Sequence, residues 1–245
     1  MEKIYERSSG LIPGGVTGFC PGCMHSTTHK LLGEVFAELG IEGDAVCVYG
    51  IGCCSLGRHM LKANVMGAPH GRACAVATGM KRSRPGKVIF TYQGDGDLAS
   101  IGLAETMSAA NRGENFTVIF VNNSTYGMTG GQMAPTTLVG MKATTAPSGR
   151  DPKQHGYPIH MCEQLAGLKA PAYLARVTCT TPANIKKARE AIKKAFQYQL
   201  DGKGFSMVEI MSNCPTNWGI SPLETLEFMK ENTLKEYELG EFRAV

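Results

Sequence analysis

The chain has 245 residues, which is enough for one large α/β domain or two small ones. Hydrophobic residues make up 43% and charged residues 19%, a balance typical of a globular protein. The net charge is +4, and no basic run indicates a nucleic-acid binder. No apolar stretch approaches the roughly 20 residues of a membrane-spanning helix, and residues 1–10 lack a signal-peptide core. We therefore expect a cytoplasmic protein with neither a nucleic-acid nor a membrane partner.

Apolar strands and helices alternate along the chain. In chain order, the pattern predicts a helix at 25–39, a strand at 46–49, a helix at 72–82, a strand at 88–92, a helix at 98–111, a strand at 116–121, a strand at 172–176, a helix at 182–200, a strand at 205–210 and a helix at 223–232. Continuous apolar strands separated by helices are typical of an α/β fold, a mostly parallel sheet with helices on both faces. No internal repeat or linker is visible, so we expect a single domain over 1–245.

Residues 123–160 form a long irregular segment rich in Gly, Pro and Thr. Segments of this length without regular structure are usually functional or disordered. This one carries little charge and several apolar side chains, so we expect it to be ordered over a ligand. Ligands of parallel sheets bind beyond the carboxyl ends of the strands. Two Gly-rich turns, at 50–53 and 93–97, fall at the same place.

The turn at 93–97 reads Gln-Gly-Asp-Gly-Asp and leads directly into a predicted helix. Glycines let backbone N–H groups approach phosphate oxygens, and a helix N-terminus favours anions. The strand at 116–121 is followed by Asn122-Asn123. Because neighbouring parallel strands end at one edge of the sheet, we expect Asp95 and Asn123 to lie close together. Carboxylate, amide and phosphate oxygens together suit octahedral Mg²⁺.

This arrangement resembles the thiamine-diphosphate motif, in which Gly-Asp-Gly is followed at a spacing in the high twenties by Asn-Asn. By that resemblance the side chains of Asp95 and Asn123 bind the metal, and Thr125 contributes its backbone carbonyl. Two other interpretations compete. A lone Gly-Asp-Gly is a common turn, and 94–99 loosely fits a dinucleotide-binding loop. A dinucleotide site fits less well, because Asp95 and Asp97 would place carboxylates beside the pyrophosphate with no metal to offset them.

Nine cysteines are an unusual number for a chain without an export signal. In that setting, metal ligands, catalytic thiols and small core residues are more plausible than disulfides. Cys20-Pro21-Gly22-Cys23 offers two thiols on one turn, Cys53 and Cys54 lie in a Gly-rich turn, and Cys214 follows the last predicted strand. A [4Fe–4S] cluster needs four thiolates, and a Cys beside Pro is common at such sites. The cysteine pattern thus fits one cluster with ligands from distant turns.

The Cys-x-x-Cys taken alone has two other interpretations. It could be a thioredoxin-type dithiol, but those usually follow a strand and none precedes Cys20. It could be half of a structural zinc site, but a second Cys-x-x-Cys is missing from the sequence. The remaining cysteines lie in apolar surroundings and are predicted to be inert core residues: Cys47, Cys74, Cys162 and Cys179.

Together these motifs resemble the β subunit of the 2-oxoacid:ferredoxin oxidoreductases, over nearly the whole chain. The segments that carry the resemblance are 20–25, 50–55, 70–73, 94–97, 126–132 and 214–218. The resemblance implies the thiamine-diphosphate-binding fold of a diphosphate-binding domain. An N-terminal loop with the Cys-x-x-Cys and a C-terminal extension would be added to it.

The resemblance also implies roles for individual residues. The implied cluster ligands are Cys20, Cys23, Cys53 and Cys214, and the implied magnesium ligands are Asp95, Asn123 and Thr125. The implied catalytic residues are His70 and Met128. Thiamine diphosphate would be bound by Gly52, Ser55, His70, Gly94, Asp95, Gly96, Asp97, Asn123, Tyr126, Gly127, Met128 and Thr129.

Some positions depart from the family pattern or have a second interpretation. Cys54 stands where the family usually has a small residue such as Ser, which leaves open which of the adjacent cysteines binds iron. Met24 stands where Gly is usual, a change that a loop tolerates. His70 and Arg72 could simply pair within the fold. Gly130 stands where relatives acting on some substrates carry Lys.

The implied reaction is the oxidative decarboxylation of a 2-oxoacid to acyl-CoA and CO2, with coenzyme A as co-substrate. The cluster would pass electrons one at a time to ferredoxin. Because the chain shows only the diphosphate-binding domain, an α subunit would supply the pyrimidine-binding domain and its activating Glu. A γ subunit and a small ferredoxin-like subunit would complete the enzyme, so we expect the chain alone to be inactive.

The sequence indicates the substrate less directly than it indicates the cofactors. Met128 and Met133 in the segment after the third strand favour an apolar side chain, so we expect a branched-chain acid such as 2-oxoisovalerate. 2-Oxoglutarate and pyruvate are the alternatives. Two other functions stay open at this point. A non-oxidative thiamine-dependent decarboxylase would need no iron, and a zinc- or thiol-based regulatory or scaffold protein would need no thiamine diphosphate.

Overall fold

The computed structural model describes residues 6–245. The first five residues, on which part of the signal-peptide expectation rests, lie outside the described residues. Within 6–245 the strands are β1 (Val46–Tyr49), β2 (Asn64–Gly67), β3 (Ile89–Gly94), β4 (Thr117–Asn122), β5 (Tyr173–Thr178), β6 (Ser206–Met211) and β7 (Gly240–Ala244). They form one sheet in the order β2-β1-β3-β4-β6-β5-β7. Neighbouring strands are parallel, except that β7 runs antiparallel to β5.

Helices cover both faces of the sheet. The α-helices are α1 (Met24–Leu39), α2 (Ala73–Ser83), α3 (Leu103–Asn111), α4 (Pro152–His155), α5 (Met161–Ala166), α6 (Pro182–Leu200), α7 (Pro215–Trp218), α8 (Pro222–Phe228) and α9 (Leu234–Glu236). On one face α1 and α6 pack through Phe36 and Phe196, which contact Phe90 of β3 edge to face. On the other face α2, α3 and α5 cover a second apolar cluster. The predicted α/β fold with helices on both faces is confirmed.

The central strands are buried along their whole length, as their continuous apolar sequences predicted. Every residue of β4 and of β6 is buried. The helices predicted at 182 and 223 begin at 182 and 222. Each start is capped: the Thr181 side chain accepts a hydrogen bond from Asn184 N, and Ser221 forms a capping box with Glu224. No helix among residues 6–245 combines the length and apolar content needed to cross a bilayer.

The structure differs from the predicted elements at several places, and the short helices α4, α5 and α7 were not predicted. The predicted helix at 98–111 begins as a π-helical turn, Gly96–Ile101, and a regular helix resumes only after Gly102. A Cβ at Gly102 would come within 2.4 Å of Asp97 O and 2.7 Å of Gly71 O, so glycine is needed where the π-helical turn ends. Strands β2 and β7 were not predicted. Both are short sheet-edge strands, and their residues are exposed or half-buried, so they lack the apolar signal that marks the central strands.

Arg150 organises the long segment at 123–160. Its buried guanidinium donates hydrogen bonds to the carbonyl oxygens of Ala134, Pro135, Thr137, His155, Gly156 and Tyr157. One cation therefore joins the backbone at 134–137 to the backbone at 155–157. This explains how a segment with little regular structure is held over the edge of the sheet.

Candidate functional site

The turns after β1, β3 and β4 meet at the carboxyl edge of the sheet and enclose a cleft of about 100 Å³. We call it the edge cleft. Its lining consists of His25, Ile51, Gly52, Cys53, Cys54, His70, Gly94, Asp95, Gly96, Asp97, Asn123, Thr125, Tyr126, Gly127, Met128 and Thr129. Cofactor pockets usually measure about 300 Å³ or more, so these residues enclose only part of a cofactor-sized ligand.

Nearly all the residues predicted to bind the cofactor therefore lie together. Ser55 is the exception: it lies outside the lining, and its hydroxyl donates to Gly52 O at 2.9 Å. Arg72 also lies outside and pairs with Glu105, which favours the structural interpretation of this residue.

Asp95 and Asn123 are brought together by one backbone group. Thr125 N donates to Asp95 Oδ2 at 3.1 Å and to Asn123 Oδ1 at 3.3 Å. Asp95 also accepts from Gly96 N at 2.8 Å and from the Thr136 hydroxyl at 2.8 Å. Burial raises the pKa of Asp95 to about 6, although these hydrogen bonds lower it. A divalent cation beside this buried carboxylate would stabilise its charged form, so the oxygen donors fit magnesium.

Asp97 joins the turns of the edge cleft to one another. Its buried carboxylate accepts from Ile51 N at 3.0 Å, Gly71 N at 2.9 Å, Gln93 Nε2 at 2.7 Å and His70 Nδ1 at 2.6 Å. Because a carboxylate only accepts, the proton of the neutral His70 ring lies on Nδ1. His70 Nε2 is then the free acceptor of the ring.

Two glycines allow close approaches at the cleft wall. A Cβ at Gly96 would come within 2.1 Å of the Tyr126 ring, and a Cβ at Gly127 would come within 3.1 Å of Cys53 Sγ. Side chains at these positions would push the Tyr126 loop away from the turns that follow β1 and β3.

A second cavity, of about 230 Å³, lies beside the edge cleft. We call it the thiol cavity, because Cys20, Cys23, Cys53 and Cys214 all line it. The other lining residues are Phe19, His25, Leu56, Asn123, Gly127, Met128, Pro215, Thr216 and Asn217. The adjacent Cys54 is 1% exposed, packs in the core and does not line this cavity.

The thiol cavity does not resemble a site for one metal ion. Among residues 6–245, no three His, Cys, Asp or Glu side chains stand close enough together to hold a single ion. A structural zinc needs its thiolates about 2.3 Å from one centre. Four thiols spread around a cavity instead suit a larger group such as a [4Fe–4S] cluster.

The thiols of Cys23, Cys53 and Cys214 are not activated as nucleophiles. Burial raises the pKa of Cys23 to about 12 and that of Cys53 to about 11, and it raises the pKa of Cys214 as well. Catalytic dithiols have a lowered pKa, because the thiolate is the reactive form. These thiols would instead lose their protons on binding a metal.

Three side chains that sequence reasoning missed hold these sites together. Thr136 donates to Asp95. Asn213 accepts from Met24 N at 3.1 Å and donates to Gly22 O at 3.0 Å and to the Thr225 hydroxyl at 2.7 Å, which fixes the Cys-x-x-Cys turn to the end of β6. Asn217 Nδ2 lies 3.2 Å from Cys214 Sγ and 2.9 Å from Gly127 O. The one sequence signal for the two asparagines is their position, one residue before and three residues after Cys214.

Comparison with known proteins places the chain in a family. The family described as thiamine pyrophosphate enzyme, C-terminal TPP binding domain, matches residues 50–210. The 2-oxoglutarate synthase subunit KorB of Methanocaldococcus jannaschii is 38% identical over 222 residues, which are 88% of this chain and 78% of that protein. The chain belongs to the 2-oxoacid:ferredoxin oxidoreductase β-subunit family. The matched range contains Cys53 and all the lining residues of the edge cleft except His25, whereas Cys20, Cys23 and Cys214 lie outside it.

Two further comparisons bear on this β-subunit family. The ketoisovalerate oxidoreductase subunit VorA of Methanothermobacter thermautotrophicus is 49% identical over 243 residues, 99% of this chain and 51% of that protein. The chain thus spans about half the length of that relative. A solved 2-oxoglutarate:ferredoxin oxidoreductase from Magnetococcus marinus, with 2-oxoglutarate, coenzyme A and succinyl-CoA bound, matches with a TM-score of 0.79 at 32% identity. That match covers 90% of this chain and 71% of the other.

Proposed function

We propose that this chain is the thiamine-diphosphate- and [4Fe–4S]-binding β subunit of an enzyme that oxidatively decarboxylates a 2-oxoacid. The products would be acyl-CoA, CO2 and reduced ferredoxin. One observation carries the proposal: Cys53 lines the edge cleft and the thiol cavity at once. A decarboxylation centre in the first cavity would then stand beside a one-electron acceptor in the second.

Thiamine diphosphate, when bound, supplies the electron sink for decarboxylation, and the protein orients it. Asp95, Asn123 and the Thr125 carbonyl would hold magnesium against the diphosphate. Backbone N–H groups at the start of the Gly96–Ile101 turn would bind phosphate oxygens. His70 would offer Nε2 at the cleft wall for proton transfer, since Asp97 holds its Nδ1.

The cluster, when bound, supplies one-electron transfer. Cys20, Cys23, Cys53 and Cys214 would ligate it. The assignment of Cys53 rather than Cys54 is supported by the lining of the thiol cavity, in which only the first of the pair takes part.

The substrate we propose is a branched-chain 2-oxoacid such as 2-oxoisovalerate. The similarity to VorA supports it, and so does Met128, an apolar side chain that lines the edge cleft and is 47% exposed. 2-Oxoglutarate is the alternative, because KorB proteins and the Magnetococcus marinus enzyme are also similar to this chain.

We propose that residues 1–245 form one domain that functions only with other subunits. The small volume of the edge cleft supports a partner that closes it, and this would be the α subunit with the pyrimidine-binding domain and activating Glu. A γ subunit, a small ferredoxin-like subunit, ferredoxin and coenzyme A complete the proposal. The coenzyme A in the Magnetococcus marinus structure supports the last of these.

The experiment that tests this function is anaerobic co-purification of the chain with its partners. Iron, acid-labile sulfide and thiamine diphosphate are then measured per chain. We expect one thiamine diphosphate and about four iron and four sulfide, together with viologen reduction by a 2-oxoacid and coenzyme A. Thiamine diphosphate without iron would indicate a non-oxidative decarboxylase. Zinc without thiamine diphosphate, or activity from the isolated chain, would contradict the proposal.

A further inference from the structure

Ser124 has an unusual backbone conformation at the edge cleft. Its φ is +58°, and it is the one residue other than glycine with a positive φ in the described part of the chain. It lies between Asn123 and Thr125, the two proposed metal ligands that follow β4. The left-handed conformation is unfavourable for a residue with a Cβ, so surrounding contacts have to hold it. The buried Ser124 hydroxyl has no hydrogen-bond partner within 6–245, so its own side chain does not hold the turn.

Two neighbours hold the Ser124 backbone instead. Asn122 Oδ1 accepts a hydrogen bond from Ser124 N at 3.2 Å. The Thr137 hydroxyl donates to Ser124 O at 2.6 Å, and Thr137 O in turn accepts from Arg150 at 2.7 Å. The turn is therefore clamped on its N–H side by Asn122 and on its carbonyl side by the long segment.

A buried carboxylate sets the orientation of the Asn122 amide. Asn122 Nδ2 donates to Glu209 Oε1 at 2.8 Å. Since a carboxylate can only accept, the NH2 group of the amide must face Glu209 and the oxygen must face Ser124 N. The negative charge of Glu209 thereby selects the amide orientation that supports the left-handed turn.

Arg176 fixes Glu209 in turn. It stands directly opposite Glu209 in the register of β5 and β6, and its Nε donates to Glu209 Oε2 at 2.8 Å. Arg176, Glu209 and Asn122 are each 0% exposed. A buried ion pair is weak evidence for stability, because apolar residues of similar volume often stabilise a fold as well. This pair is also linked, through the Asn122 amide, to the proposed metal-binding loop.

We propose that the buried Glu209–Arg176 pair positions the metal-binding loop: through the Asn122 amide it holds Ser124 left-handed, and so places the Asn123 side chain and the Thr125 carbonyl for the cation. Neither Glu209 nor Arg176 lines the edge cleft, so both are positioning residues. The inference rests on the magnesium and diphosphate site proposed above.

The test is a Mg²⁺ titration of the co-purified complex after magnesium and thiamine diphosphate have been removed with a chelator. Thiamine diphosphate is held at a fixed concentration, and binding is followed by calorimetry rather than by activity. In Glu209→Gln the new amide can turn its NH2 toward Asn122, which then no longer has to present its oxygen to Ser124. We expect the Mg²⁺ affinity to fall about tenfold, the lower end of the effect of residues behind metal ligands.

Glu163→Gln is the matched control. Glu163 is the other carboxylate on Arg176, bound through both guanidinium NH groups, and it makes no hydrogen bond to Asn122. Each of the two variants leaves Arg176 with one carboxylate. We expect Glu163→Gln to lower the melting temperature but to leave the Mg²⁺ affinity unchanged. Asn122→Ala, which keeps the Glu209–Arg176 pair intact, serves as a second test and should also lose about tenfold.

Rescue by glycine separates positioning from general damage. Glycine adopts a positive φ readily, and removing the unpartnered Ser124 hydroxyl costs no hydrogen bond. Ser124→Gly should therefore restore most of the Mg²⁺ affinity in both the Asn122→Ala and the Glu209→Gln backgrounds. Equal losses in Glu209→Gln and Glu163→Gln, or no rescue by Ser124→Gly, would overturn the inference. Absence of Mg²⁺-dependent thiamine diphosphate binding in the wild-type complex would instead overturn the proposed function itself.

Discussion

The edge cleft and the thiol cavity share a wall, yet they are built by different means. In the edge cleft, hydrogen bonds from several turns fix each buried carboxylate: three donors reach Asp95 and four reach Asp97. In the thiol cavity, the sulfur contacts are few: Cys23 Sγ lies 3.9 Å from Asn213 O, and Cys214 Sγ lies 3.2 Å from Asn217 Nδ2. Carboxylates are strong acceptors and thiols weak ones, so the first site is organised by the protein. The second would depend on the cluster that we propose to bind there.

The largest effect that can separate the two sites comes from Cys53. We expect Cys53→Ala to lose all its cluster iron, about four atoms per chain, because one of the four ligands is missing. Thiamine diphosphate binding should persist, since the oxygen donors of the edge cleft remain. Iron, sulfide and thiamine diphosphate per chain are measured on anaerobically purified complex.

Cys54→Ala is the control for that variant. The Cys54 side chain is buried in the core beside the Cys53 turn. Its removal should lower the free energy of unfolding by about 1 kcal/mol, as is common for core truncations, and should leave the iron content unchanged. Loss of iron in Cys54→Ala with retention in Cys53→Ala would reverse the ligand assignment.

Asp95→Asn should have the reverse effect to Cys53→Ala, with thiamine diphosphate binding weakened and iron retained. An amide in place of the carboxylate removes the negative charge from the proposed magnesium site, so we expect Mg²⁺-dependent thiamine diphosphate binding to weaken by at least about a hundredfold. Iron content should stay at the wild-type value. The measurement is calorimetric titration with Mg²⁺, with iron determined on the same sample.

Asp97→Asn lies in the same turn and is the matched control for Asp95→Asn. Asp97 accepts hydrogen bonds from four protein groups. Asp97→Asn should therefore lower the melting temperature more than Asp95→Asn does, and it should lower the Mg²⁺ affinity less. A hundredfold loss of affinity in both variants at equal melting temperature would contradict the division of roles between the two carboxylates.

A smaller effect is expected where the Cys-x-x-Cys turn meets the sheet. Asn213→Ala removes three side-chain hydrogen bonds, two of them buried, which together contribute about 3 kcal/mol. The Cys20–Cys23 turn should then lose its anchor, so the cluster should be released faster to an iron chelator. Thr225→Ala removes one of the same hydrogen bonds and should have a weaker effect. If both variants released iron at the wild-type rate, the turn would not depend on Asn213.

The smallest effect is on the potential of the cluster. Asn217→Ala removes the one side-chain donor that lies beside Cys214 Sγ in the described chain. Hydrogen bonds to cluster sulfurs help to set the potential, because they stabilise the more negative reduced state. We expect a lower midpoint potential at unchanged iron content, measured by an EPR-monitored redox titration. Thr216→Ala, in the same cavity wall, should leave the potential unchanged, and an unchanged potential in Asn217→Ala would contradict this role.

The sequence predicted the central strands and the residues at their carboxyl ends, because buried parallel strands are continuous apolar runs. The spacing of Asp95 and Asn123 predicted their proximity, which the shared Thr125 N–H now shows. The sequence did not predict β2 or β7, because strands at the edges of the sheet require no apolar pattern. Nor did the sequence identify Thr136, which donates to Asp95 from the long segment that Arg150 holds together.

The sequence by itself determined the fold class, the family and which residues could bind a metal or cofactor, since periodicity and motif spacing are local properties. Only the tertiary structure decided which of these side chains face each site. It separated Cys53 from Cys54, because one side chain faces the thiol cavity and the other the core. It also joined Asn122 to Glu209 and Arg176, which lie on three adjacent strands but far apart in the chain. A buried carboxylate can orient an amide only where the fold places the two groups within hydrogen-bond distance, and no pattern in the sequence contains that distance.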